Sequence, residues 1–189
     1  MLGVEDVFSA EFEALGLVAV LLGGLDVGVV IVLGLLVFGR TSLGALGWRF
    51  DRLGRDVLLG LGGFVVCTGV LLVGFLIAGA SPAEMFERAW GFSVAQRLIF
   101  LLIAVFGAAL VEETLYRGYL QPALIRRIGY APALIVSALV FDLMHANFAP
   151  ASLVTKFVFG VVFGALRGRD RSLVAPGIAH GLIWAVYGA

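Results

Sequence analysis

Residues 97–120 read RLIFLLIAVFGAALVEETLYRGYL, an apolar run that carries two adjacent glutamates and an arginine near its end. A helix needs about 20 residues to cross the hydrocarbon of a bilayer, and this run is long enough. A charged side chain near the bilayer centre costs roughly 2.5–3.5 kcal/mol on insertion scales, so such residues usually have a function. The stretch therefore predicts a membrane-spanning helix with ionisable groups inside the bilayer.

The whole chain has the composition of a membrane protein. Of its 189 residues, 61% are hydrophobic and 14% are charged, which is too little polar surface for a soluble domain. Its 13 basic and 13 acidic residues leave no net charge, so no basic surface for nucleic acid is expected. The single cysteine, Cys67, predicts an inert buried thiol. The lipid bilayer is therefore the expected surroundings of the protein.

The apolar segments predict an all-α fold, a single polytopic transmembrane helical bundle over residues 1–189. Its N-terminal spans cover about 15–79 and its core about 98–189. The fourth and fifth spans would rise only ~21 Å against a hydrocarbon core of ~30 Å. These two short helices predict a buried hairpin, with its connection beside a polar chamber. About six spans are expected, at 15–38, 57–79, 97–120, 131–145, 153–166 and 173–187.

Arginines are distributed unevenly among the predicted connections. Two of them are on the side of the even-numbered connections: Arg88 in the second connection and Arg97 at the start of the third span. Nine lie in odd-numbered connections: Arg40, Arg49, Arg52, Arg55, Arg126, Arg127, Arg167, Arg169 and Arg171. Because basic connections favour the cytoplasmic side, both chain ends are expected outside the cytoplasm. We expect a multi-pass protein of a prokaryotic plasma membrane.

Within the run at 97–120, the spacing separates the two glutamates. Glu113 and Arg117 are four residues apart on one helix face, so they are expected to pair. Glu112 points about 100° away and lacks that partner. A free carboxylate in a low dielectric can act as a general base on water. The alternative is an interfacial segment in which both acids face lipid headgroups.

The chain has only two histidines, His145 and His180, and both lie in apolar helices. A lone buried histidine usually only hydrogen-bonds to a neighbour. Two histidines together with Glu112, however, are also a known ligand set for a catalytic metal ion. The sequence leaves both interpretations open.

Three motifs carry a resemblance to a known family: Glu112-Glu113-x-x-x-Arg117, Phe141-x-x-x-His145 and the late His180. They resemble the CPBP family of intramembrane proteases, also called the Abi or CAAX-prenyl protease family. The resemblance covers about residues 98–189. It implies an endopeptidase in which Glu112 activates water and the two histidines complete the site. Glu113 and Arg117 would be supporting residues.

The resemblance also implies the site's cofactor and substrate. No metal is required on the preferred interpretation; Zn²⁺, held by Glu112, His145 and His180, is the alternative. The substrate is expected to be a peptide or a membrane protein, prenylated in some relatives. Oligomeric state is not predicted.

One position departs from the family pattern. Members usually carry Asn four residues after the last histidine, where this chain has Trp184. Such an amide stabilises the developing oxyanion by about 3 kcal/mol. Asn147, the only asparagine, is a candidate for this donor; otherwise Arg117, Gln121 or a backbone N–H must supply it, or the protein is a weak catalyst.

Two other classes of function remain. A non-catalytic CPBP-like membrane protein with an immunity or scaffold role would not need Glu112, and the Trp184 departure favours it slightly. A small proton-coupled transporter would need a path open to both faces, which a chamber closed on one side does not offer.

Overall fold

The computed structural model describes residues 29, 31–34, 36, 37, 39, 41–145, 147–168 and 172–188. The first predicted span, 15–38, lies largely outside these residues, although positions 29, 31–34, 36 and 37 are helical. Arg40, Arg169 and Arg171 also lie outside the described residues.

Helices make up the described chain, and no strand occurs in the residues given above, which confirms the all-α prediction. In chain order they are α1 Leu43–Leu46, α2 Leu53–Ile77, α3 Pro82–Trp90, α4 Val94–Ile128, α5 Tyr130–Leu143, α6 Pro150–Arg167 and α7 Val174–Tyr187.

Three of these helices, α2, α4 and α6, are long and apolar enough to cross a membrane, and α5 and α7 are shorter apolar helices. Large apolar side chains of α2 face outward, with Leu58 72% and Ile77 73% exposed. Such a surface is stable against lipid and unstable against water. The described helices therefore have the surface of a membrane bundle.

Two predicted boundaries differ from the structure. The fifth span is not short: α6 has 18 residues instead of the 14 predicted, because the helix starts directly at Pro150, where a first-turn proline is tolerated. The third span continues to Ile128, since Pro122 stands at the start of an α-helical stretch within α4 and does not end the helix.

The middle of α4 is wound more widely than an α-helix. Its hydrogen bonds follow the i→i+5 pattern over Ile103–Glu112 and again over Thr114–Leu120. Glu113 is the single residue between the two stretches. Turns of this kind are rare and occur mostly at functional sites.

The predicted hairpin is formed by the antiparallel helices α5 and α6. They approach closely at Gly160, where an added Cβ would lie 2.9 Å from the Cα of Ala138. Residues 147–149, at the tip of the hairpin, are exposed. The hairpin is therefore buried along its facing helices and not at its tip.

Contacts define two ends of the bundle. At one end, the backbone N–H of Leu173 donates to the carbonyl of Gly47, which joins the start of α7 to the segment after α1. At the other end, an added Cβ on Gly188 would meet the ring of Phe100. A buried aromatic cluster around Phe141 and Phe163 lies between the two ends.

Candidate active site

The predicted catalytic side chains come from three separate parts of the bundle. Glu112 ends the first wide stretch of α4, His145 follows the last turn of α5, and His180 lies in the middle of α7. They come together at one carboxylate oxygen. Oε2 of Glu112 lies 4.0 Å from Nε2 of His145 and 3.9 Å from Nε2 of His180.

These three side chains differ in their exposure. His180 is 3% exposed, His145 17% and Glu112 29%. Oε2 of Glu112 is nevertheless buried and has no hydrogen-bond partner within the described part of the chain. A buried carboxylate oxygen without a partner is costly, so the space between it and the imidazoles is suited to a hydrogen-bond donor.

The orientation of each imidazole is set by its Nδ1. Nδ1 of His145 lies 2.7 Å from the carbonyl oxygen of Phe141. A carbonyl can only accept, so this nitrogen carries the proton. Nδ1 of His180 lies 2.8 Å from Oε1 of Glu113, a carboxylate that likewise accepts. In their neutral forms, both histidines therefore direct an unprotonated Nε2 toward Glu112.

Glu113 and Arg117 form the support behind His180. The Arg117 guanidinium donates to Oε1 of Glu113 at 2.9 Å, which confirms the predicted pair. Its other terminal nitrogen donates to the carbonyl of Gly160 at 3.2 Å. Both side chains are fully buried. Arg117, Glu113 and His180 thus form a chain of hydrogen bonds that holds the imidazole in place.

Aromatic rings pack around this chain. Phe163 stacks on His180 with ring centroids 4.6 Å apart. The Phe141 ring meets His145 edge-on at 4.6 Å, and the guanidinium carbon of Arg117 lies 4.3 Å from its centroid. Stacking and cation–π contacts of this kind limit how far the charged side chains can turn.

The geometry tests the alternative of a zinc ion. The donor types, two imidazoles and a carboxylate, are those of zinc sites. However, ligands of a tetrahedral zinc ion lie ~3.4 Å apart, and the nitrogens here lie 3.9 and 4.0 Å from the oxygen. No metal-suited group of three His, Cys, Asp or Glu side chains is found in the described ranges. A water with two ~2.8 Å hydrogen bonds about a right angle spans ~4 Å and fits the spacing as it stands.

The side chains expected to supply an oxyanion donor have other partners. Asn147 is exposed, and its amide oxygen accepts from the N–H of Ala149 at 3.2 Å. It makes no hydrogen bond to Glu112 or to either histidine in the described chain. The amide nitrogen of Gln121 donates to the carbonyl of Gly164 at 3.1 Å.

Several contributors to the site were missed by the sequence reasoning. The sequence indicated Phe141 only as part of a motif and assigned no role to Gly160 and Gly164. In the structure, the carbonyls of both glycines accept from buried side chains of α4. Their positions could have indicated a role in the site, since Phe163 and Gly160 are three residues apart and lie on one face of α6.

A separate apolar cavity of about 320 Å³ lies between α4 and α7, next to the segment after α1. Trp48, Leu101, Ala104, Ile178 and Leu182 are among its lining residues. None of the predicted catalytic residues lines it, so it is distinct from the carboxylate–imidazole cluster.

Comparison with known proteins gives a match in the half of the chain that carries Glu112, His145 and His180. Residues 94–186 match the family model described as Type II CAAX prenyl endopeptidase Rce1-like. No curated protein and no solved structure matches the chain. The match and the three long apolar helices together make this an integral membrane protein. The resemblance is thereby confirmed, and residues 94–186, which carry all three motifs, belong to the Rce1-like, or CPBP, family of CAAX-type intramembrane endopeptidases.

Proposed function

We propose that the protein is an intramembrane endopeptidase that hydrolyses peptide bonds of membrane-associated proteins or peptides with a water activated by Glu112. One observation carries the proposal: both imidazole Nε2 atoms lie within 4.0 Å of the same buried carboxylate oxygen. A water in this gap has an acceptor in Glu112 and is oriented by the histidines.

The reaction uses these groups in order. Glu112 removes a proton from the water while the water oxygen adds to the carbonyl carbon, and the carbonyl π pair moves to its oxygen. This oxyanion needs a hydrogen-bond donor in the site. The proton then passes from Glu112 to the amide nitrogen. The electron pair of the oxyanion re-forms the carbonyl as the C–N bond breaks with its own pair on nitrogen, releasing an amine and a carboxylic acid.

The support for His180 favours this role over a structural one. Its Nδ1 is held by Glu113, which is itself held by Arg117. Such a relay aligns the ring toward Glu112 before any substrate arrives, and pre-alignment contributes to catalysis because no reorganisation is needed during the reaction. We place the protein in a prokaryotic plasma membrane and propose that no metal takes part.

The proposal predicts that Glu112→Gln loses at least about 100-fold in the rate of peptide cleavage, because an amide cannot accept the proton. Cleavage of a quenched fluorescent peptide by protein in liposomes measures this. The matched control is Glu87→Gln, which makes the same change on the exposed surface of α3 and should keep full activity.

Retained cleavage in Glu112→Gln would disprove the mechanism. An inactive wild-type protein, with both variants folded, would instead favour the non-catalytic scaffold. Activity that is lost on treatment with a chelator and restored by Zn²⁺ would overturn the proposal that no metal takes part.

A further inference from the structure

Lys156 is the only lysine in the chain, and nothing described above gives it a role. It lies in the second turn of α6, on the side of the bundle where the α5–α6 connection lies. Its side chain is half-buried. A lysine within an apolar helix is costly unless it extends to the membrane surface or faces a polar site.

The face of α6 on which Lys156 lies decides between these two possibilities. Phe159, Gly160 and Phe163 are buried and follow Lys156 at i+3, i+4 and i+7, so they share its face. Gly160 receives the guanidinium of Arg117, and Phe163 stacks on His180. Val154, on another face, is 61% exposed. Lys156 therefore lies on the face of α6 that forms the wall of the site.

The packing of α5 against α6 also places Lys156 at the site. The antiparallel helices α5 and α6 meet where Gly160 faces Ala138. One turn farther along each helix, Lys156 lies level with Asp142. Asp142 is 4% exposed, and its Oδ1 has no hydrogen-bond partner in the part of the chain that the structure describes.

Lys156 lies near enough to Glu112, Asp142 and His145 for its charge to interact with theirs. Yet among the described residues no carboxylate lies within 4.0 Å of its ammonium group, and the ammonium group donates no hydrogen bond to any of them. The cation is thus near the His145 side of the site, and its hydrogen-bonding capacity is unused within the described part of the chain.

Hydrolysis of a peptide bond needs a hydrogen-bond donor that is free to bind the substrate. The substrate carbonyl becomes an oxyanion, and stabilising it requires a donor in the site. The terminal nitrogens of Arg117 donate to Glu113 and Gly160, and the amide nitrogen of Gln121 donates to Gly164. Asn147 is exposed at the tip of the hairpin. Lys156 is the described cation on the site wall that is not engaged in this way.

We propose that the Lys156 ammonium binds an anionic oxygen of the peptide substrate, a role that rests on the proposed endopeptidase function. Two oxygens have the required chemistry: the oxyanion formed at the cleaved bond, and the carboxylate at the peptide's C-terminus. A charge-assisted hydrogen bond suits either oxygen.

The test measures kcat and KM of Lys156→Met in liposomes on two peptides that differ only in a free or an amidated C-terminus. Binding to the oxyanion predicts that kcat falls about 10²–10³-fold on both peptides. Binding to the carboxylate predicts that KM rises about tenfold or more on the free acid alone. Lys156→Arg should retain most activity, and Val154→Met on the exposed face is the matched control.

The double variant Asp142→Asn/Lys156→Met separates substrate binding from a structural pair. It removes both charges, so it folds even if Lys156→Met alone leaves Asp142 buried without a counter-charge. Impaired kinetics in the double variant support the proposal. Wild-type kinetics in either the single or the double variant overturn it, since Lys156 would then serve only Asp142 or nothing.

The Glu112→Gln variant distinguishes the two proposals. If Glu112→Gln is inactive while Lys156→Met matches the wild type, only the inference about Lys156 fails. If Glu112→Gln still cleaves the peptides, the proposed function itself fails.

Discussion

Glu113 is the side chain on which the buried polar groups of the site depend. One of its oxygens accepts from Arg117 and from His180, and it is fully buried. The spacing of four residues predicted its contact with Arg117. The contact with His180 joins residues 67 positions apart and follows from no local pattern.

At this scale we predict that Glu113→Gln and Arg117→Met each lower the free energy of unfolding by about 3–5 kcal/mol, because each leaves an uncompensated buried charge. The double variant should lose less than the sum of the two, since it removes both charges together. Unfolding in a detergent titration measures all three variants. Losses that simply add would show that the pair contributes no coupling energy.

At the scale of elements, the hairpin α5–α6 sets the distance between α6 and the site. Gly160 lies against Ala138, and its carbonyl receives the Arg117 guanidinium. A side chain at position 160 would separate the two helices and move this carbonyl. The absence of a Cβ is therefore needed both for the helix contact and for the polar support of the site.

We predict that Gly160→Ala destabilises the protein by about 1–3 kcal/mol, because its Cβ would lie 2.9 Å from the Cα of Ala138 and a backbone cannot move aside cheaply. Cleavage should fall as well, since the carbonyl of residue 160 moves away from Arg117. The matched control is Gly62→Ala on α2, where an added Cβ meets nothing within 4 Å. Thermal unfolding of both variants in detergent measures the effect, and equal stability of the two would contradict the packing argument.

For the whole molecule, the predicted orientation rests on the arginines. In the structure, the segment after α1 contacts the start of α7, so two of the basic connections share one end of the bundle. Arg126 and Arg127 are exposed near the end of α4. A single end that gathers the basic connections is what a cytoplasmic face requires.

We predict that a cysteine at position 127 reacts with a membrane-impermeant maleimide only from the cytoplasmic side, and one at position 84 only from outside. The native Cys67 is fully buried and should not react with the maleimide. The variants Arg127→Cys and Glu84→Cys, labelled in intact cells and in inverted vesicles, measure this. The reverse labelling pattern would show that the bundle has the opposite orientation in the membrane.

The amino-acid sequence by itself determined that the protein is helical and lies in a membrane, because apolar length and composition are local properties. It also determined the Glu113–Arg117 pair, which depends only on spacing along one helix. Helix ends were less determined: Pro122 lies inside α4, and α6 begins at Pro150, because a proline is tolerated where a helical stretch starts.

Only the tertiary structure decided that His145 and His180 face the same oxygen of Glu112, and that Lys156 lies on the wall of the same site. Both facts depend on how α4, α5, α6 and α7 pack, which is set by close contacts such as that of Gly160 with Ala138. Such contacts join residues distant in the chain, so no periodicity or spacing in the sequence carries them.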